Sequence, residues 1–428
     1  MTSLKKGIIS LVVLLFIIAA AFAAYKLFKP TVKVGVLHSL TGTMAGSESV
    51  LKEVALMTFD EINKEGGILG RKIEAVVKDP ASNWPLFAQH AKELLTIDKV
   101  AVTFGCWTSV SRKHVLPPFE DLNGLLFYPV QYEGQELSNN VFYTGAAPNQ
   151  QAIPAVDYLL SEKGGSVKGF VLLGTDYVYP RTTNKILRAY LLSKGIPAEN
   201  ILEEYKPFGF SQWAPYVSEI SKFAAKGFKV AVVSTVNGDS NTPFYEELSR
   251  QRIWGSVVPV VAFSVGEQEL SMVQGRQPIG HLAAWNYFMS IDNPKNTEFK
   301  NKWAAWSKLR KLGGGLAVTN DPMEATYIGI RLWKQAVEKA GSFDVDAVRK
   351  AMAGLTMEAP NGMTVKMDET NHHLHRPVFI GEILADGQFK ILSQSDKPIA
   401  AEPWSQLLPE SKDKGNAPKG KTLDAVKI

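Results

Sequence analysis

Four short stretches of the chain concentrate aromatic rings beside polar groups. Gly105-Cys106-Trp107-Thr108-Ser109 offers a planar ring, two hydroxyls and, where a helix begins, free backbone N–H groups. Tyr128-Pro129-Val130-Gln131-Tyr132-Glu133-Gly134, Gly174-Thr175-Asp176-Tyr177-Val178-Tyr179-Pro180-Arg181 and Ser234-Thr235-Val236-Asn237-Gly238-Asp239-Ser240-Asn241 repeat the mixture. Rings can sandwich a flat group while carboxylate, amide and hydroxyl oxygens take its N–H donors. The chemistry implied is capture of a small, planar, uncharged solute with several N–H groups and one carbonyl. The one cation in these stretches is Arg181. An amino acid therefore fits less well, because its carboxylate and ammonium each want a dedicated partner. Any single tyrosine here serves equally well to cap a hydrophobic core; four such stretches together favour a site.

Other residues suggest other chemistry. Cys106 as a nucleophile with His114 as its base would make an exported amidohydrolase. A small buried residue at the end of an apolar strand is the better reading of that cysteine. His372, His373 and His375 suggest a metal, but Asn371 and Arg376 beside them favour a solvated loop. Gly313-Gly314-Gly315 lacks the Lys-Ser/Thr of a phosphate loop and reads as a flexible connection. Glu324 begins a helix, where it complements the dipole or, at lower odds, lines a cleft. Ser39-Leu40-Thr41-Gly42 either meets ligand or caps the next helix. No cofactor site and no metal site is expected.

The elements that must position these stretches alternate. Val32–Leu37, Ile73–Val77, Val100–Phe104 and Leu125–Tyr128 read as buried strands. Helices at 48–63, 86–97 and 109–121 separate them, the first with Leu51, Ala55, Phe59 and Ile62 on one face. The rhythm restarts at Gln150, with strands at 169–173, 201–205, 230–234 and 258–263 and helices at 150–162, 182–193, 212–225 and 242–252. Such alternation makes two doubly wound α/β lobes with mostly parallel sheets. Ligand sites in such sheets lie beyond the carboxyl ends of the strands, where all four stretches fall. A strong helix at 324–340 and short strands at 364–367, 378–384 and 389–392 follow, and the tail from Lys397 is expected to lack packed structure.

At 428 residues the chain accommodates two domains, and 45% hydrophobic with 21% charged residues is ordinary for a packed protein. A net charge of +5 with dispersed lysines lacks the footprint of nucleic-acid binding. One cysteine excludes an internal disulfide framework. Lys5 and Lys6, the apolar run Ile8–Ala24 and Ala21-Phe22-Ala23 make residues 1–29 a signal peptide or an N-terminal membrane anchor, and hence the protein periplasmic.

Seven motifs, in order between Val32 and about Leu392, resemble the urea-binding subunit of urea ABC transporters. They are FGCWTS (104–109), LLFYPVQYEG (125–134), YTGAAPNQQ (143–151), DYVYPR (176–181), NGDSN (237–241), GHLAAWNYF (280–288) and DPMEATYIG (321–329). The wider group includes branched-chain amino-acid-binding proteins and amide-sensing regulators. The resemblance implies a type I periplasmic binding fold with three chain crossings. Lobe 1 would hold residues 31–146 and 284–358, lobe 2 residues 147–283 and 359–395, and 396–428 the tail. It implies a non-enzymatic solute-binding protein delivering urea or a short amide to a membrane permease, with an amide-sensing receptor as an alternative. Its ligand residues would be Trp107, Thr108, Ser109, Tyr128, Val130, Tyr177 and Tyr179, with Asn237 and Asp239 as weaker additions. Trp107 stands where the amide sensors have tyrosine and Val130 where they have threonine; both match the urea-binding branch.

Overall fold

A computed structural model describes Val13 and residues 30–273, 278–313 and 318–418. The proposed leader run and Gly314-Gly315 lie outside the described residues. Among those described, no helix is long and apolar enough to cross a membrane.

The first sheet runs β2-β1-β3-β4-β5, all parallel. Its strands are β1 (Val32–Leu37), β2 (Ile73–Lys78), β3 (Thr103–Gly105), β4 (Leu126–Tyr128) and β5 (Val141–Tyr143). Both faces of its central strands are covered, which is why they read as mostly apolar runs, broken in β1 only by Lys33. In the second lobe β6 (Gly169–Thr175), β7 (Ile201–Lys206), β8 (Val230–Thr235), β9 (Val260–Ala262) and β10 (Leu282–Trp285) pair in parallel. A small antiparallel sheet of β11 (Thr356–Glu358), β12 (Thr364–Met367) and β13 (Leu374–His375) follows in the chain. Then β14 (Phe379–Ile383) and β15 (Phe389–Gln394) return antiparallel to the edge of the second sheet, beside β10. The expected two doubly wound α/β lobes are therefore present.

The boundaries differ in detail. Ala359, Val365, Met367 and Leu374 pack in one apolar cluster with Val34, Phe104 and Trp333, so residues 359–375 belong to the first lobe's core. The last crossing falls between Arg376 and Val378 rather than at 358/359. The helix expected from Thr182 begins at Val178, because Pro180 sits in the first turn, where no backbone N–H is needed. Strands β5 and β10 and the helices Pro294–Arg310 and Val345–Met352 were not foreseen.

Two side chains bind the three crossings together. Asn286, on the second crossing, donates to Gln150 O on the first (2.9 Å) and Pro377 O on the third (2.6 Å). Arg376 donates to Thr144 O (3.0 Å) and pairs with Asp321 (3.0 Å) and Glu324. Glu324 lies in the first turn of the helix Asp321–Ala340, where an acid complements the dipole, and it is fully buried rather than exposed in a cleft. It sits against Arg376, and burial pushes its carboxyl up to about 8.

The tail also departs from expectation. Ile399 pairs with Arg376, Glu402 N donates to Asn149 Oδ1 (2.9 Å), and Gln135 N donates to Pro403 O (2.5 Å). Ala401, Leu408 and Ser411 are buried. The tail packs largely through backbone hydrogen bonds, which its polar composition conceals. Gly134 (φ 68°) permits the approach: a Cβ there would stand 2.7 Å from Pro403 O. The histidines are likewise not in a solvated loop. His373 is fully buried, stacked on Tyr143 at 4.3 Å, and burial pushes its imidazole down to about 3. It is neutral, receiving the Tyr132 hydroxyl at Nε2 (2.5 Å) and donating from Nδ1 to Asn371 O (2.6 Å).

Candidate functional site

The carboxyl ends of β3 and β4 set the first-lobe half of the site. β3 ends in Cys106, whose left-handed backbone (φ 67°) turns the chain into the helix Ser109–Asp121. Thr108 caps that helix, accepting Ser111 N at 3.1 Å, so its hydroxyl is engaged in holding the loop. Ser109 donates its hydroxyl hydrogen to Glu133 Oε2 and accepts from Arg112 at 3.1 Å. Tyr128 donates its phenol hydrogen to Trp107 O. The indole Nε1 of Trp107, only 2% exposed, has no partner among the described residues. Val130 is buried in the same apolar cluster, with Gly145 pressed against its backbone.

The second lobe supplies Tyr177 and Tyr179 at the start of the helix Val178–Ser193. Their ring centroids are 6.1 Å apart, and Tyr177 also meets Phe208 at 4.8 Å. The Tyr179 hydroxyl is buried beside Gln131 and Ser264. Burial raises the phenol pKa of Tyr128, Tyr177 and Tyr179 above the ordinary value; Tyr177 interacts electrostatically with Tyr128, Tyr179 and Glu133. Asn237 is buried but braces its own loop, through Thr235 O (3.0 Å) and Thr175 Oγ1 (2.9 Å). Asp239 is exposed on a short turn.

The lobes touch around the site. Gln131 Nε2 donates to Ser264 Oγ (2.6 Å), Ser47 Oγ to Glu269 Oε1 (2.7 Å), and Trp84 packs on Phe208 at 5.6 Å. A Cβ at Gly46 would stand 2.8 Å from Met272 Sδ, so glycine permits this contact.

The cation beside the site is not Arg181. That side chain is 55% exposed and pairs with Asp176 at 2.7 Å. Arg112, fully buried and absent from the sequence-level candidates, occupies the position instead. It meets Glu136 at 2.8 Å and Glu133 at 3.3 Å, and packs against the rings of Tyr128 and Tyr132 at 4.6 Å each. Although burial opposes ionisation of Glu136, Arg112 and Lys113 hold its carboxyl well below the usual range. A sequence signal existed: Arg112 follows Ser109 by three residues on one helix face, and Glu133 and Glu136 share that spacing. Cys106 is fully buried, and burial pushes its thiol well up, with Glu48 adding to the effect. It stays a thiol at neutral pH, which is poor chemistry for a nucleophile.

Residues 32–410 match the family described as periplasmic binding protein domain. The chain is 24% identical over 368 residues to the leucine-, isoleucine-, valine-, threonine- and alanine-binding protein of Pseudomonas aeruginosa, covering 80% of this chain and 87% of that one. A 125-residue stretch is 34% identical to limonene hydroxylase of Geobacillus stearothermophilus, covering 29% of this chain but only 21% of that protein. Among solved structures, an ABC transporter solute-binding protein of Rhodopseudomonas palustris HaA2, in complex with p-hydroxybenzoic acid, superposes with a TM-score of 0.73 at 20% identity. That superposition covers 87% of this chain and 98% of the other.

Proposed function

Because this chain belongs to the periplasmic binding protein family, we propose that it is the extracytoplasmic solute-binding component of an ABC transporter and that its solute is urea or a short amide. The observation that carries the solute class is the direction of two hydroxyls. Ser109 and Tyr128 both spend their hydrogens inward, on Glu133 and on Trp107 O. Toward a ligand they present only lone pairs, so what meets them must donate. The unpartnered Trp107 Nε1 is the complementary donor for a carbonyl. A planar solute with N–H groups and one carbonyl satisfies all three, and the rings of Tyr177 and Tyr179 supply flat apolar cover.

The solute enters between open lobes, and hinge closure brings Tyr177 and Tyr179 over Trp107 and Tyr128. The closed form then docks on a membrane permease, with ATP hydrolysed by separate subunits. The raised Cys106 thiol disfavours the amidohydrolase reading. The relatives' ligands, aliphatic amino acids and p-hydroxybenzoic acid, all carry a carboxylate. Here the cation nearest the site is already engaged by two glutamates.

The test is isothermal titration of residues 30–428 with urea, acetamide, formamide, leucine and p-hydroxybenzoate. Saturable binding of urea above the rest is expected. Binding of leucine or p-hydroxybenzoate alone would overturn the solute assignment.

A further inference from the structure

Resting on that uncharged-solute reading, we infer that Glu133 is the residue that makes this site select against carboxylates. The guanidinium of Arg112 is engaged at all three of its nitrogens. Its Nε meets Glu136 (2.8 Å), one terminal nitrogen meets Ser109 Oγ (3.1 Å), and the other meets Glu133 and Glu136 (3.3 Å each). The rings of Tyr128 and Tyr132, edge to face with each other, pack against it at 4.6 Å each, and Lys113 completes the group at 2.9 Å from Glu136. Two carboxylates balance two cations, so no positive charge in this group is left over for a ligand anion.

The two carboxylates point to different neighbours. Glu136 accepts the Tyr143 hydroxyl at 2.8 Å and sits among Tyr132 and Tyr143, behind the site. Glu133 takes the Ser109 hydroxyl and pairs with Arg112, which packs on the Tyr128 ring, so it stands next to the two hydroxyls proposed to meet the ligand. A ligand held at Ser109 and Tyr128 therefore meets a fixed carboxylate one side chain away, among buried groups. A ligand carboxylate placed there is buried beside a like charge with no counter-ion, whereas a neutral amide of the same shape suffers neither cost.

The experiment is calorimetric titration of wild type with an isosteric series: acetamide, acetate and acetamidinium. Acetamide binding is expected, with acetate at least about a hundredfold weaker, the effect of a buried like charge, and acetamidinium also weaker, since it offers Trp107 Nε1 no carbonyl. Glu133→Gln is expected to gain acetate binding by at least about tenfold while keeping acetamide within about tenfold. Glu136→Gln, which removes equal charge behind the site, is expected to gain none. Wild type that binds acetate as tightly as acetamide overturns the inference, whether or not either variant folds. Equal gains of acetate binding in the two variants also overturn it, by making the effect one of net charge. A wild type that binds neither urea nor any amide fails at the solute assignment itself, a result distinct from amide binding without charge selection.

Discussion

Tyr128 donates its phenol hydrogen to the carbonyl oxygen of Trp107, the residue whose own indole N–H lacks a partner. One contact thereby fixes the loop after β3 to the end of β4 and turns the phenol into an acceptor for whatever lies beside it. The left-handed backbone at Cys106 and the Thr108 cap hold the same loop from its other side. The donor and acceptors offered to a ligand thus sit on a frame already hydrogen-bonded before any ligand arrives, which lowers the ordering cost of binding.

Trp107→Phe keeps a flat ring but removes the N–H. Loss of one hydrogen bond, about 0.5–1.5 kcal/mol, predicts urea binding weaker by up to roughly tenfold with little change in thermal stability. Tyr128→Phe removes an acceptor and leaves Trp107 O buried and unsatisfied. It should weaken urea binding similarly and also destabilise the fold by about 1–3 kcal/mol. Calorimetry and thermal melts together distinguish the two; unchanged urea affinity in both variants would sink the assigned roles.

The Ser47–Glu269 hydrogen bond joins the lobes at 2.7 Å, so removing it should favour the open form. Ser47→Ala is expected to weaken solute binding about threefold to tenfold, the equivalent of one hydrogen bond charged against closure. Small-angle scattering of the ligand-free variant should show a larger radius of gyration than wild type. Identical scattering and affinity would mean the contact does not hold the lobes together.

Glu267 is buried, with one oxygen accepting Met289 N at 2.6 Å and the other unpartnered. Burial, reinforced by Glu269 and Asp321, pushes its carboxyl up to about 8. The folded state therefore keeps its proton while the unfolded chain releases it near the ordinary value of 4.5. Unfolding is favoured as pH rises through this window, so this group's contribution to stability falls between about pH 4.5 and 8 and is level outside it. Glu267→Gln, a shape match for the protonated acid, should melt with wild type near pH 4.5. It should gain on wild type by at most about 1.4 kcal/mol per pH unit toward pH 8. Parallel melting curves across that range would contradict it.

Much of the scaffold was legible because buried strands leave mostly apolar runs and half-buried ones alternate. Val32–Leu37 and the helix 109–121 coincide with the observed elements, and Thr364–Met367 does as well. The aromatic stretches were legible for a related reason, since rings at the carboxyl ends of parallel strands stand out in composition. What escaped was everything determined by partners distant in sequence. Arg112 is defined by Glu133 and Glu136 across the loop. His373 looks solvated beside Asn371 until Tyr132 and Tyr143 close on it from more than two hundred residues away. The tail packs through backbone groups that every sequence possesses.

Arg376 offers the sharpest stability test, because it is fully buried and holds Asp321, Glu324 and Thr144 O at the junction of the three crossings. Replacing it alone with Met leaves two buried carboxylates without a counter-ion, a loss of about 3–5 kcal/mol in thermal or guanidinium unfolding. The triple change Arg376→Met, Asp321→Asn, Glu324→Gln removes the charges together and should recover a large part of that loss, because buried ion pairs contribute little net stability against neutral replacements. Since Asp321 also accepts Asn286 N at 2.8 Å, which asparagine can still do, the crossings should remain joined in the triple variant. Solute affinity there is expected to stay within about tenfold of wild type if the hub only holds the hinge together. A triple variant as unstable as Arg376→Met would show that the hub depends on its charges rather than on the chain path they connect.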